Sequence, residues 1–216
     1  MLTIYAIPVS LYCAKLRILL RHKNIQWHEL PPPGGYGSAE YKSIVPSGNL
    51  PALVDGSLLL ADSEAIAEYL NEKYPNPPML PTELNGRAKA RELSRLHDTR
   101  LEPEVRKLFP LINSSKRNAL IVDEQSQAIS DGLNQLAKLL ESNASNCGEV
   151  LTLGECGLAI TFVWIDVLSE VFGMQIKIPQ SVNQYRSRIC SHSAVLVELE
   201  EYRPRLSAWF EAQGQQ

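Results

Sequence analysis

The stretch "YPNPPMLPTE" places Pro75, Pro77, Pro78 and Pro81 within ten residues, and it divides everything the chain can build. Proline lacks a backbone donor and pushes the residue before it out of helical conformation. No helix or strand therefore crosses this stretch, and the helix upstream ends by Pro75. Upstream, strand and helix patterns alternate. "LTIYA" reads as a strand, "LYCAKLRILLRHK" as an amphipathic helix with Leu16, Leu19 and Leu20 on one face, and "IQWHEL" as a second strand. "PPPGGYGS" is loop. A short helix, "AEYKSIV", precedes strands "PALV" and "LLLA" about a tight turn at Asp55-Gly56, and then a helix with Ile66, Tyr69 and Leu70 inward. The order is βαβαββα, a parallel unit followed by an antiparallel hairpin. Downstream, one long helix runs from Arg87 to about Leu108 and another from Val122 to Ser142, while "GLAITFVWIDVLSEVF" is apolar nearly all round, as at the centre of a bundle. The predicted architecture is an α/β domain over 1–78, a Pro-rich linker over 79–86 and an all-helical domain over 87–216.

Bulk properties narrow the function. A net charge of −3 is contrary to nucleic-acid binding. The basic run "RAKARELSRLHDTR" is interleaved with Glu92 and Asp98 and reads as a solvated helix face. No apolar run reaches membrane-spanning length, and the chain opens on a strand rather than a charged-then-apolar leader, so no membrane partner and a cytoplasmic address are expected. Cys13, Cys147, Cys156 and Cys190 lack paired spacing, which points to free thiols in a reducing compartment with neither a disulfide framework nor a metal site.

Three short elements carry chemistry. In "VSLYCAK", Ser10 stands where a strand turns into a helix, with the spacing of a CxxC redox motif whose first sulfur is replaced by oxygen. Ser10 is either a plain N-cap or a hydroxyl that donates to a thiolate held at the positive end of the helix. Cys13 is either a second thiol there or, the favoured reading, a small buried hydrophobe. In "SGNLPAL", Pro51 enters a strand. A cis Leu50–Pro51 bond would turn the Leu50 backbone outward to pair with an extended peptide, and a trans bond would make it a simple strand start. In "ADSEAIAEYL", Asp62 and Ser63 open a helix, as caps or as partners for a ligand's ammonium and carboxylate. The three together describe a peptide with a central thiol and an α-amino acid head. Glutathione has that form.

These segments resemble the glutathione transferase superfamily, and the resemblance spans essentially the whole chain. "VSLYCAKLRILL" resembles the Ser-type active-site segment of the tau, zeta and related bacterial classes, "VPSGNLPALVDG" the cis-proline segment, and "DSEAIAEYL" the segment after it. "TLGECGLAITFVW" resembles the helical region's capping box, with Thr152 as cap and Glu155 in the Asp place, and "YRPRLSAWFEA" the Pro-x-Leu-x-x-Trp ending. The resemblance implies a thioredoxin-like first domain, glutathione as co-substrate and a cytoplasmic homodimer with a detoxifying role. It makes Ser10 the thiolate stabiliser, Leu50 before Pro51 the backbone partner of the cysteinyl moiety, and Asp62 with Ser63 the holders of the γ-glutamyl head. Asn49 stands where many relatives carry Lys or Gln near the glycine carboxylate. Omega-like members carry Cys in place of Ser10, so addition to a small hydrophobic electrophile is favoured over thiol exchange.

For the electrophile pocket the candidates are Tyr12, Tyr36, Arg95 and His97, with Arg91 and Arg100 as further polar groups on the long helix. Tyr36 is either a lid or an anchor of its Gly-rich loop, and a lone His such as His97 is more often a helix-surface or satisfied interior residue. Asp166 in its apolar helix requires a partner and reads as structural. Two rivals stand beside conjugation: a glutathione-dependent isomerase or reductive dehalogenase, and a non-catalytic interaction module.

Overall fold

The computed structural model describes residues 1–142 and 150–214, and Cys147 lies outside them. Strand β1 (Leu2–Tyr5) buries alternate residues, Leu2 and Ile4, as the two-residue period of a strand requires. It pairs in parallel with β2 (Trp27–Leu30) on one side and antiparallel with β3 (Ala52–Asp55) on the other, and β4 (Leu58–Leu60) completes the order β2-β1-β3-β4. Leu53 stands opposite both Ile4 and Leu60. The β3–β4 turn uses Gly56 at φ +61°, where a side chain would be strained. Helices α1 (Leu11–His22), α2 (Ala39–Ile44) and α3 (Ser63–Lys73) complete the expected βαβαββα unit.

α1 corrects the amphipathic reading. It packs against α3 and against two later helices, α7 (Leu153–Phe172) and α9 (Ser193–Gly214), so its polar positions are enclosed as well as its apolar ones. Lys15 and Arg17 are each only 2% exposed. Lys23, beyond the end of α1, donates to the carbonyls of Tyr74 and Pro77 at 2.7 Å each and so fastens the proline-rich connection. Leu50–Pro51 and Asn76–Pro77 are cis.

After the prolines the structure is helical. α4 (Leu84–Leu96) starts ahead of the expected Arg87. The expected single helix is broken by a π-helical turn, His97–Leu101, before α5 (Glu102–Arg106). Pro103 explains the break, since it cannot donate back to the preceding turn, and a wide turn absorbs the missing bond. α6 (Ala119–Ser142) starts three residues ahead of the expected Val122, because the Asn118 side chain accepts from Leu120 and Ile121 N–H. α7 opens on the expected capping box. Thr152 Oγ1 accepts from Gly154 N–H, and Glu155 accepts from Thr152 N–H at 2.7 Å. α8 (Gln180–Ile189) supplies Arg186, which pairs with Asp166 and gives that carboxylate its structural partner.

α4 packs on α7 at a close approach. A Cβ built on Gly157 would lie 2.4 Å from His97 Cε1, and that ring is held at both nitrogens by Asp98 and Thr161 at 2.7 Å each. In an open helix Gly→Ala gains about 1 kcal/mol. Here overpacking reverses the sign, and Gly157→Ala should cost about 1–3 kcal/mol. Thermal unfolding should show a Tm lower by roughly 2–10 °C, and an unchanged or raised Tm would refute the tight packing.

Candidate active site

α1 begins at the edge of a cleft of ≈ 820 Å³ between the sheet's loops and the helices that follow. It gathers Ser10, Tyr12, Tyr36, Asn49, Leu50, Asp62, Ser63 and Arg95 from five separate stretches of sequence. Two surface depressions of similar size, ≈ 730 and ≈ 860 Å³, contain none of them, so chemistry rather than volume marks this one.

Ser10 is the N-cap of α1, with extended backbone (φ −69°, ψ 124°) and Oγ accepting from Cys13 N–H at 3.3 Å. That bond occupies a lone pair and leaves the hydroxyl proton available, so capping a helix and donating to an anion are compatible in one serine. Cys13 is fully buried, and burial pushes its thiol above the usual range despite the bond from Ser10's side and the nearby Arg17. It does not line the cleft. Pro51 is buried behind Leu50, which does. The buried Tyr41 hydroxyl donates to Asn49 O at 2.8 Å and holds the loop in which Asn49 and Leu50 lie. Asp62 caps α3, its Oδ1 accepting from Glu64 and Ala65 N–H at 3.0 and 2.9 Å, with Ser63 as the first helical residue.

The far wall is a stripe on the broken helix: Arg95, Asp98, Glu102, Arg106 and then Phe109. Their spacing of three and four residues is the signal that would have found them in the sequence. Arg87, Arg95 and Arg100 of the basic run are exposed, as a solvated face requires, and Asp98 turns inward from it. It accepts from Lys15 Nζ at 3.0 Å and bonds His97 Nδ1, and Lys15 also donates to Glu64 at 2.7 Å. Burial raises the Asp98 carboxyl, but His97 and Lys15 outweigh it and bring it down to about 2. Burial likewise lowers Lys15, and Asp98 with Glu64 reverses that to a net rise. Tyr12 donates to the buried Glu102 at 3.0 Å, and Glu102 also holds Arg106, whose guanidinium lies 5.4 Å over the Tyr12 ring. Burial first, and then the Glu102 and Asp98 charges, raise the Tyr12 phenol, which stays neutral.

His97 is not in the cleft. It is 1% exposed and satisfied by Thr161 and Asp98. Arg91 pairs with Glu68 at 2.6 Å, outside the cleft. Tyr36 is 61% exposed at the mouth, between Gly35 and Gly37, both at positive φ. The floor includes Trp164 of α7 and Trp209 of α9, which no local pattern connects with Ser10 because they come from far along the chain. Among the described residues no three His, Cys, Asp or Glu side chains gather as a metal site, and no helix is long and apolar enough to cross a membrane.

Residues 4–78 match the family model "Glutathione S-transferase, N-terminal domain". The chain is similar to Glutathione S-transferase Z2 of Arabidopsis thaliana, 34% identical over 160 residues, covering 70% of this chain and 69% of that one. It is also similar to the Stringent starvation protein A homolog of Histophilus somni, 25% identical over 210 residues, covering 94% and 92%. Its fold matches a holo structure of maleyl pyruvate isomerase, a bacterial zeta-class glutathione S-transferase, with a TM-score of 0.73 at 22% identity over 91% of this chain and 95% of that one.

A carboxylate held down by its neighbours contributes stability that is full above its ordinary value of 3.8 and lost as pH falls through about 2. Asp98→Asn should remove that contribution and leave Lys15 with Glu64 alone, at a cost of about 3 kcal/mol at neutral pH. The difference from the parent, measured by urea unfolding, should shrink as pH is lowered from about 4 toward 2. A difference independent of pH would refute the pairing.

Proposed function

The chain belongs to the glutathione transferase family, and from that premise we propose that it ionises the glutathione thiol at Ser10 and adds it to a small hydrophobic electrophile. In this reading 1–78 binds glutathione, 79–86 links, and 87–216 supplies the electrophile pocket. The observation that carries it is Ser10 at the cleft, its oxygen already accepting from Cys13 N–H, with Leu50 and Ser63 on the same cleft. Ser10 donates its proton to the sulfur at the positive end of α1, which favours the thiolate over a thiol of ordinary pKa about 8.5. The Leu50 backbone pairs with the cysteinyl unit, Asn49 lies toward the glycine end, and Asp62 with Ser63 takes the γ-glutamyl head. Tyr36, Phe109 and Trp209 give the electrophile an aromatic enclosure, and holding both reactants together supplies the rest of the rate. A cytoplasmic homodimer with a detoxifying role belongs to the same proposal.

A second reading, glutathione-dependent isomerisation, is favoured by Arg95, Arg106 and Lys107 on the cleft wall, where they suit a carboxylate-bearing substrate, and by the isomerase named for a structure of the same fold. One assay separates the two. With an unsaturated carboxylic acid as probe, isomerisation returns the glutathione titre unchanged, and addition lowers it mole for mole with product.

Ser10→Ala removes a hydrogen bond to a charged group, so kcat/KM for glutathione should fall roughly 10- to 100-fold. Retention on immobilised glutathione should persist. A variant of parental activity would refute the role of Ser10.

A further inference from the structure

The bend that delivers Ser10 to the cleft is tied down from behind. Arg17 Nη2 donates to Ile7 O at 3.2 Å, and Arg17 Nη1 lies 3.5 Å from Pro8 O. The third carbonyl, Val9 O, accepts from the Tyr202 hydroxyl of α9 at 2.7 Å. Tyr202 is fully buried, and its oxygen accepts in turn from Trp164 Nε1 of α7 at 2.7 Å. A hydroxyl has one proton to give, and here it is committed to Val9. Trp164 lines the cleft floor, stacked on Phe109 at 4.3 Å and edge-on to Trp209 at 5.9 Å.

Val9 C=O and Ser10 N–H belong to one planar peptide unit, so a bond that fixes the oxygen also fixes the plane from which Ser10 departs. Ser10 N–H completes the bend by donating to Ile7 O at 3.3 Å. We infer that the chain of bonds Trp164–Tyr202–Val9 positions Ser10, so that two late helices set the aim of a hydroxyl carried by the first ten residues. Tyr202 touches no reactant; it is a positioning residue, and this role rests on the proposed function of Ser10. The buried arrangement has a chemical reason. A tyrosine hydroxyl enclosed in apolar surroundings is costly unless both its functions are met, and a phenylalanine would have filled the same space without that requirement.

The test is the ratio of thiolate to thiol in glutathione bound to the full chain, read from thiolate ultraviolet absorbance across a pH titration with no electrophile present. Tyr202→Phe keeps the ring and removes the bond, and the ratio near neutral pH should fall roughly two- to tenfold. Trp164→Phe leaves the Val9 bond but takes away the donor that polarises the hydroxyl, and its fall should be smaller, about twofold. It also keeps the inference testable should Tyr202→Phe fail to fold. Leu139→Ala, a core truncation in α6 outside the cleft, should lower Tm and leave the ratio at the parental value. A parental ratio in folded Tyr202→Phe, or an equal fall in Leu139→Ala, overturns the inference while Ser10→Ala still shows its own fall. A Ser10→Ala titration that matches the parent overturns the Ser10 reading and this inference with it.

Discussion

A guanidinium sealed inside a protein must be fully paired or it will not stay there, and Arg17 of α1 sets the assembly by that requirement. Its Nε and Nη2 reach Glu29 of β2 at 2.7 and 3.0 Å, and its Nη1 reaches the wholly buried Glu198 of α9 at 3.3 Å. The carbonyls of the Ser10 bend occupy the rest of the fork. Burial alone would lower Arg17, but Glu29 and Glu198 keep it firmly cationic. These bonds form together only when the sheet edge, the bend and the last helix meet, so one side chain couples the first thirty residues to the region near 198. Arg21 reinforces the junction through Glu198 at 3.2 Å and Glu201 at 2.8 Å.

Lys15 does the same on the other side of α1. It joins Glu64 in the first turn of α3 to Asp98 in the π turn, so the helix that opens with Asp62 and Ser63 is anchored to the wall that carries Arg95 and Glu102. Each of these buried cations holds one part of the cleft, Lys15 through Asp98 on its wall and Arg17 through the Ile7 carbonyl beside Ser10. The capping bond of Ser10, at 3.3 Å, engages only the oxygen of its hydroxyl as acceptor.

Much of this was legible in order and type. The βαβαββα unit, the break at Pro75–Pro81, the Thr152–Glu155 capping box and the role of Asp166 as a paired structural acid all follow from local rules about prolines, caps and apolar periods. The segments around Ser10, Leu50 and Ser63 could be picked out as well, because each lies at the start of a helix or strand, and all three reach the same cleft. His97 and Asp98 could not. Neighbours in sequence, they differ in what they face: His97 points to Thr161 of α7, and Asp98 lines the cleft and binds Lys15.

The sequence by itself therefore determined the βαβαββα order, the proline break after it and the Thr152–Glu155 cap, because those follow from bonds between positions a few residues apart. Only the tertiary structure decided that Lys15 and Arg17 of an ostensibly amphipathic helix lie inside, and that Trp164, Tyr202 and Trp209 reach the Ser10 bend or the cleft beside it. Burial of a charge is favourable only when partners from distant segments arrive to meet it. No local pattern encodes that arrival, since the partners of Arg17 lie 12 and 181 residues away.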